Sequence, residues 1–483
     1  MQEILIGGLD GLKVVMDAAM GNRHGMISGA TGTGKTITLQ ILAEGFSKIG
    51  VPVFLADIKG DLSGIAVAGQ PNDKITQRLQ QIGIGDYQPR GNPSVFWDIF
   101  AKTGHPIRAT ISDMGPLLLS NLLELNDTQT GVLYSCFKIA DDNGLLLLDL
   151  KDLRSLLVWI GEQANELQAE YGNIAPASLG AIQRQLLVLE EQGAEHFFGE
   201  PAIQLEDFCK TDFSGNGVIS ILDATDLVNK SPRLYATFLL WLLSELFENM
   251  PEIGDPERPK LVLFFDEAHL LFEQAPKALV DKIEQIVRLI RSKGVGVYFI
   301  SQSPLDVPED ILGQLGLKIQ HALRAYTPKD QQVIKSVAGT FRENPKIDTE
   351  TAIQELKTGE ALVSVLNKDG SPAPVERILV RPPESQIGAI TPEQRAEIIK
   401  RSPFSGRYDQ ALDRESAYEM LKQKAEQKSR EQEAEQAKKP VSGGGRQRQT
   451  ITEALLKNAA RSIGTTVGRQ IVRGIMGSLL GRR

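Results

Sequence analysis

Cysteine is almost absent from this 483-residue chain. Its two cysteines, Cys136 and Cys209, lie far apart and form no C-x-x-C pair. Disulfide frameworks and zinc sites both need clustered cysteines, so neither kind of site is expected. Isolated thiols are typical of a reducing compartment, and we therefore expect a cytoplasmic protein.

Long hydrophobic runs are also missing. The most apolar helix-like stretch, residues 235–247, is too short to cross a bilayer and contains Glu245. Residues 1–26 contain no basic segment followed by an apolar one. We therefore expect neither a secretion signal nor a membrane-spanning helix.

Acidic residues are scarce near the C-terminus, although the whole chain is acidic. The net charge is −8, but residues 446–483 carry eight basic residues against one glutamate. The overall composition, 41% hydrophobic and 24% charged residues, is that of a globular protein with a sizeable core. An acidic body does not attract nucleic acid over its whole surface. The C-terminal tail differs from the body because its net charge is positive.

The clearest motif is a glycine-rich loop after the apolar pair Met26 and Ile27. It consists of Gly29, Ala30, Thr31, Gly32, Thr33, Gly34, Lys35 and Thr36, and it fits G-x-x-x-x-G-K-[ST]. A glycine-rich backbone can turn its N–H groups toward phosphate oxygens while the next helix begins. Lys35 would then reach the β- and γ-phosphates of ATP, and the Thr36 hydroxyl would bind Mg²⁺. An ordinary glycine turn is disfavoured, because strand, loop and helix signals occur in the required order.

The segments around this loop predict an α/β fold. A helix over 36–49 is followed by a buried strand over 51–57, and strand patterns return later in the chain. Before the loop, we expect a strand or hairpin over 3–12 and a short helix over 14–20. The sequence thus predicts a P-loop NTPase core over residues 1–383 with a predominantly parallel sheet.

Residues 112–215 interrupt the strand pattern with a mostly helical one. Leucine and isoleucine recur there at helical spacings, and no phosphate or metal motif appears. We interpret this segment as a helical insertion in the core. It is either a lid or subunit contact, or a set of helices that pads the core.

Two carboxylates follow the apolar strand predicted over 260–265, namely Asp266 and Glu267. Burying two carboxylates is costly unless they have partners or a chemical role. Beside a P-loop they have one, because Asp266 would hold Mg²⁺ through water and Glu267 would accept a proton from the water that attacks the γ-phosphate. Asp57 and Asp61, after the strand that follows the P-loop helix, either face the nucleotide or cap the next element.

Polar residues near later strands are further candidates. Gln302 ends the strand predicted over 296–301 and would orient the attacking water or sense the γ-phosphate. Arg288, Arg291 and Arg324 are candidate sources of the positive charge that stabilises a phosphoryl-transfer transition state. Each arginine can equally be a solvated charge on a helix face.

The chain after residue 383 reads as a linker and a tail. Residues 384–445 are polar and charged, so we expect an exposed helical or disordered linker. In residues 446–483, apolar residues recur at every fourth position, and basic residues lie about half a turn away. This helical, basic and amphipathic tail suits an anionic membrane surface, a partner helix or DNA phosphates, and the alternative is a helix packed on the body.

Four stretches together resemble the HerA/FtsK group of RecA-like motor ATPases, and they are residues 29–36, 57–61, 261–269 and 300–304. Over residues 5–380, the chain is most similar to the bacterial YjgR-type branch of that group. The resemblance implies a RecA-like sheet in which the Gln302 strand lies between the P-loop strand and the Asp266 strand. It also implies a hexameric ring that translocates double-stranded DNA, with Arg291 acting on the nucleotide of the neighbouring subunit.

Two other functions remain open from the sequence. The amphipathic tail favours a motor that moves protein or acts at a membrane, as secretion and conjugation ATPases of this superfamily do, placed peripherally at the inner membrane. The other alternative is a nucleotide-controlled assembly switch. Glu267 argues against the switch, because a pure switch has little use for a general base.

Overall fold

The computed structural model describes residues 2–273 and 277–438 of the chain. Two compact units divide the chain, Met1–Lys422 and Gln423–Arg483. The predicted basic tail over residues 446–483 lies outside the described residues. Among the helices that are described, none is long and apolar enough to cross a bilayer.

One twelve-stranded sheet runs through the described part of the chain. Its strands are β1 (Glu3–Leu9), β2 (Leu12–Asp17), β3 (Gly25–Ser28), β4 (Val53–Asp57), β5 (Ser94–Asp98), β6 (His105–Pro106), β7 (Ile219–Asp223), β8 (Leu261–Phe265), β9 (Val295–Ser301), β10 (Leu317–Gln320), β11 (Glu360–Ser364) and β12 (Glu376–Val380).

Helices cover this sheet. They are α1 (Lys35–Lys48), α2 (Asp73–Ile82), α3 (Ile111–Leu122), α4 (Asp127–Asp142), α5 (Leu150–Glu162), α6 (Ala164–Tyr171), α7 (Pro176–Glu191), α8 (Thr225–Lys230), α9 (Pro232–Asn249), α10 (His269–Phe272), α11 (Lys277–Ile290), α12 (Glu309–Leu312), α13 (Pro328–Ala338), α14 (Thr349–Glu355), α15 (Pro392–Arg401) and α16 (Ala417–Lys438).

The sheet is mainly parallel, as the sequence predicts. The order of its strands is β2-β1-β12-β11-β10-β3-β9-β8-β4-β7-β5-β6. The strands from β10 to β6 pair in parallel, whereas β11, β12, β1 and β2 continue the sheet in antiparallel pairing. Strand β9 lies between β3 and β8, which confirms the order implied by the family resemblance. The carboxyl ends of β3, β9, β8 and β4 therefore meet at one edge.

Alternating side chains of the central strands divide the core into two layers. On β8, Leu263 and Phe265 belong to one apolar cluster, and Val262 and Phe264 belong to another. The first cluster includes residues of α9 and α11, and the second includes residues of α1. Successive strand residues point to opposite faces, so a sheet covered on both sides needs the continuous apolar runs seen in this sequence.

Helices α3 to α7 connect β6 to β7, where the sequence predicts a helical insertion. Leu153, Leu156, Ile182 and Leu186 from these helices are fully buried. They belong to the same apolar cluster as α9. The insertion thus contributes side chains to the main core.

The segment before the P-loop differs from the prediction. Strands β1 and β2 form an antiparallel hairpin around Asp10 and Gly11, whose φ angles are 50° and 83°. The sequence predicts a helix over 14–20, but Val14 and Met16 instead bury one face of β2. A two-residue turn with two left-handed residues twists in the same sense as the strands it joins, which favours the hairpin.

Residues 384–422, here called the strap, also differ from the predicted linker. They belong to the first compact unit, so the body does not end at residue 383. Within the strap, Phe404, Tyr408 and Leu421 are at most 5% exposed. Its buried residues are widely spaced along an irregular path, so the sequence offers no periodic pattern that would reveal the packing.

Candidate nucleotide-binding site

The P-loop lies at the carboxyl edge of the sheet, between β3 and α1. Strand β3 ends at Ser28 and helix α1 begins at Lys35, as the motif predicts. Three glycines of the loop have positive φ angles, 150° at Gly29, 76° at Gly32 and 121° at Gly34. Residues with a Cβ rarely adopt these angles, so the glycines allow the loop to curl in front of the helix.

Lys35 is buried at the start of α1. Its ammonium group donates hydrogen bonds to the carbonyl oxygens of Gly29 (2.6 Å) and Ala30 (3.2 Å). Burial lowers the pKa of Lys35 and the charge of Lys59 lowers it further, whereas Glu267 and the aspartate before it raise it. The lysine is thus within electrostatic reach of the two carboxylates after β8, and the P-loop and these carboxylates form one site.

Asp266 and Glu267 follow β8 at the same edge of the sheet. They are 6% and 8% exposed. The backbone N–H of Glu267 donates to Asp266 Oδ1 over 3.0 Å. Burial raises the pKa of Asp266 to about 6, Lys59 lowers it and the charge of Glu267 raises it. Glu267 has a left-handed backbone with φ of 47°, which is uncommon for a residue with a side chain and is concentrated at functional sites.

Lys59 is a site residue that the sequence analysis missed. Strand β4 ends at Asp57, whose carboxylate accepts hydrogen bonds from the N–H groups of Gly60 (2.8 Å) and Leu62 (3.0 Å). Asp57 therefore caps this turn, and burial raises its pKa to about 7. The turn brings Lys59 Nζ to 2.6 Å from Glu267 Oε1. Lys59 is two residues after the end of β4, at the carboxyl ends of the parallel strands. A charged side chain at such a position can reach the neighbouring strand, and this position was the signal in the sequence.

The acidic side of the site fits a divalent cation. Glu267 Oε2 and Asp61 Oδ1 are buried and have no hydrogen-bond partner among the described residues, although His269 Nδ1 lies 3.4 Å from Glu267 Oε2. In the described part of the chain, no three acidic, histidine or cysteine side chains form a metal cage. Mg²⁺ is usually bound by one or two carboxylates together with substrate phosphates, so Thr36 and Asp266 suit it.

Gln302 follows β9, between the P-loop strand and the acidic strand. Its carbonyl oxygen accepts a hydrogen bond from the Gly29 N–H (3.2 Å), and its side chain is exposed. Close to it lies Asp306, which the sequence analysis missed. Asp306 accepts a hydrogen bond from the Ser303 N–H (2.9 Å), and its charge raises the pKa of Lys35. The spacing of Ser303 and Asp306 is that of a capping box, which was the signal for this residue.

Arg291 lies at the opposite edge of the sheet. It is in a 3₁₀ helix (Arg291–Lys293) that precedes β9, and its guanidinium group donates to Asp255 Oδ1 over 3.0 Å. The P-loop follows the carboxyl end of the adjacent parallel strand β3. Arg291 is therefore separated by the length of β9 from the nucleotide site of its own chain.

The other two candidate arginines have partners of their own. Arg288 forms an ion pair with Glu284, one turn earlier on α11. Arg324 donates hydrogen bonds to the carbonyl oxygens of Gln354 and Leu356, at the end of α14. These contacts hold local structure.

A buried histidine, which the sequence analysis also missed, ties the P-loop to the sheet. His321 follows β10, with Nδ1 2.9 Å from the carbonyl oxygen of Glu360 and Nε2 2.8 Å from the Thr38 hydroxyl. A carbonyl can only accept, so Nδ1 carries the hydrogen and Nε2 accepts from Thr38. A Cβ at Gly29 would lie 2.5 Å from the Cβ of His321. The glycine loop thus packs directly on this histidine.

A model of the helicase HerA-like C-terminal family matches residues 3–483. The chain belongs to this family. The HerA-like chain is 23% identical over 382 residues to the DNA double-strand break repair helicase HerA of Sulfolobus acidocaldarius, covering 75% of this chain and 66% of that protein. It is 34% identical over 125 residues to the probable helicase MJECL08 of Methanocaldococcus jannaschii, covering 25% and 22%. It thus spans less than two thirds of the length of these relatives.

Solved structures share the fold of this HerA-like chain. The plasmid coupling protein TrwB, in complex with a non-hydrolysable ATP analogue, has a TM-score of 0.53 at 16% identity, covering 80% of this chain and 91% of that one. VirB4 of Thermoanaerobacter pseudethanolicus has a TM-score of 0.51 at 17% identity, covering 81% and 98%. The HerA-like chain therefore has the RecA-like fold, and its family and its glycine loop make it a P-loop ATPase.

Proposed function

We propose that this HerA-like chain hydrolyses ATP with Mg²⁺ and works as a ring motor on double-stranded DNA. The observation that carries the proposal is the meeting of Lys35, Asp266 and Glu267 at one edge of the sheet. A glycine loop alone would bind nucleotide, but a buried carboxylate beside it supplies the general base that hydrolysis needs. The helicase names of the two relatives support DNA as the track.

The residues of the site divide the work of phosphoryl transfer. The N–H groups of the glycine loop and the ammonium group of Lys35 would hold the β- and γ-phosphates. Gln302, which touches the loop through its carbonyl oxygen, would orient the attacking water. Glu267 would accept the proton of that water at its carboxylate as the water attacks the γ-phosphate.

Thr36 and Asp266 would hold Mg²⁺, which when bound neutralises part of the negative charge of the phosphates. The pKa of Asp266, raised to about 6 by burial, still leaves this carboxylate ionised above neutral pH. Asp266 is therefore available as a ligand under physiological conditions.

A ring would complete the site. Arg291 lies at the edge of the sheet that is opposite to the P-loop of its own chain. A head-to-tail ring places this edge against the nucleotide edge of the next subunit. Arg291 would then supply positive charge to the transition state in the neighbouring site. We propose a hexamer as the ring.

The ATPase rate of the purified chain, measured with and without linear double-stranded DNA, tests this function. DNA should stimulate hydrolysis at low salt, and the stimulation should weaken at moderate salt because contacts with the phosphate backbone release counterions. Lys35→Ala serves as the blank. If the ATPase rate is high but is the same with and without DNA at both salt concentrations, the result would contradict the DNA motor and favour a protein or membrane substrate.

The role of the base has its own test. Glu267→Gln should lower turnover by roughly 10²-fold or more, because a positioned general base contributes that much to such reactions. Glu257→Gln, an exposed glutamate before β8, is the matched control and should hydrolyse ATP like the parent chain. If Glu267→Gln is as fast as the parent, another residue is the base.

A further inference from the structure

The proposed general base is held in an ion pair with Lys59. Lys59 Nζ lies 2.6 Å from Glu267 Oε1, and the side chains are 41% and 10% exposed. A general base must contact the water whose proton it abstracts. An oxygen that already accepts a hydrogen bond from an ammonium group at this distance is partly shielded from that water. In this geometry, Lys59 occupies Glu267 Oε1 and hinders this oxygen from accepting a proton from the attacking water.

The backbone on both sides of this pair is fixed, and the lysine side chain is not. Asp57 is 1% exposed and caps the turn that contains Lys59 with two backbone hydrogen bonds. On the other side, the N–H of Ala268 donates to the carbonyl oxygen of Ile300 over 2.8 Å. A lysine side chain has a flexible four-carbon stem, so it is the more mobile member of the pair. Opening the pair therefore needs only a rotamer change of Lys59.

A phosphate group near the P-loop would compete for this lysine. The charge of Lys59 acts on Lys35, the lysine of the loop, and so the two ammonium groups share one electrostatic field. A bound triphosphate adds several negative charges to that field, and it thereby offers Lys59 an alternative anionic partner.

We propose that Lys59 is a positioning residue that sequesters Glu267 in an ion pair, that this pair must open before each hydrolysis event, and that nucleotide at the P-loop favours its opening. The proposal rests on the proposed role of Glu267 as the general base. Residues 57–61 would then limit the rate of ATP hydrolysis in the absence of DNA, because the base becomes available only after the ion pair opens.

Removal of the lysine charge tests the proposal through steady-state kinetics without DNA. Lys59→Met keeps the length of the side chain and should raise kcat by roughly fivefold, the effect of losing one partly exposed ion pair, while KM changes by less than about twofold. Lys59→Arg keeps a positive charge beside Glu267 and should raise kcat less than Lys59→Met does. Lys138→Met, which removes a similar ion pair with Asp142 on the distant helix α4, is the matched control. An unchanged or lower kcat, or a large rise in KM, would overturn the proposal.

A double variant separates this proposal from the function on which it rests. If Lys59 acts through Glu267, Lys59→Met combined with Glu267→Gln should be as slow as Glu267→Gln alone. If kcat of the double variant is still about fivefold higher than that of Glu267→Gln, Lys59 does not act through Glu267 and the proposal is wrong. If Glu267→Gln itself hydrolyses ATP at the parent rate, the base assignment fails, which is a different result.

A chemical measurement tests the ion pair without using activity. Amine-reactive labelling of the nucleotide-free chain, read by mass spectrometry, should modify Lys59 more slowly in the parent than in Glu267→Gln, because the paired ammonium keeps its proton. Labelling of Lys138 should be the same in both proteins. Equal labelling of Lys59 in both would overturn the pair, and thermal unfolding confirms that each variant is folded.

Discussion

Two buried histidines flank the P-loop strand. His24 precedes β3 and accepts a hydrogen bond from the Val297 N–H at Nδ1 (3.0 Å), and His321 contacts the glycine loop. Burial lowers the pKa of each histidine to about 4. A histidine has a pKa near 6.5 in the unfolded chain, so the unfolded state takes up protons first as the pH falls. Stability that is present at neutral pH is therefore lost between about pH 6.5 and pH 4.

His24→Asn should reduce this loss of stability in acid. Asparagine keeps a side-chain acceptor for the Val297 N–H but does not titrate. Between pH 7 and pH 5, the free energy of unfolding of the parent should fall by about 1–2 kcal/mol more than that of His24→Asn. Urea unfolding at the two pH values measures the difference. His196→Asn, at an exposed histidine, is the control, and an equal fall in His24→Asn and the parent would contradict the prediction.

The strap and helix α1 are joined by a buried carboxylate. Glu44 on α1 accepts hydrogen bonds from the N–H groups of Glu384 (2.9 Å) and Ser385 (2.9 Å) and from the Ser385 hydroxyl. Burial raises the pKa of Glu44, and these hydrogen bonds oppose the shift. The strap thus satisfies a polar group on the helix that begins with Lys35, and it is part of the support of the nucleotide site.

Shortening the chain at two positions tests the strap. A chain that ends after Lys422 should unfold at nearly the same temperature as the full chain, because the first compact unit is intact. A chain that ends after Pro383 should lose about 5 kcal/mol or more, since Phe404, Tyr408 and Leu421 no longer bury their side chains. Thermal and urea unfolding of both chains measure this. Equal stability of the two shortened chains would show that the strap adds nothing to the body.

The predictable parts of this molecule are those with regular local patterns. The predicted strand over 260–265 corresponds to β8, and the predicted strand, loop and helix of the P-loop are all present. The strap was not predictable, because its contacts are irregular and distant in sequence. The ion pair of Lys59 and Glu267 was missed for a related reason. It depends on β4 and β8 being neighbours, and strand order is a property of the whole sheet.

At the scale of the whole molecule, the two ends of the parallel strands carry different functional residues. The P-loop, Asp266 and Glu267 occupy the carboxyl edge of the sheet, and Arg291 occupies the amino edge. Head-to-tail association closes into a ring when the rotation between subunits allows it. In the proposed ring, a complete active site would need residues from two adjacent subunits.

Mixing two inactive variants tests this arrangement. Arg291→Ala removes the charge offered to the neighbour, and Lys35→Ala disables the site in its own chain. Mixed rings contain sites with an intact Lys35 and an Arg291 from the next subunit, so some ATPase activity should return. Lys293→Ala, two residues before β9 and outside the proposed site, is the control for Arg291→Ala. Absence of any recovery, once subunit exchange is demonstrated, would contradict a role across the interface.

The position of β3 in the sheet constrains how the protein is made. Among the described residues, strand β3 pairs with β9 and β10, which the ribosome adds hundreds of residues later. Until then, the apolar strand that carries the phosphate motif has two unpaired edges, which other nascent chains or chaperones can bind. Premature termination before β10 would release a product that has the motif in its sequence but no nucleotide site. The cell therefore gains ATP binding only when synthesis of the core is nearly complete.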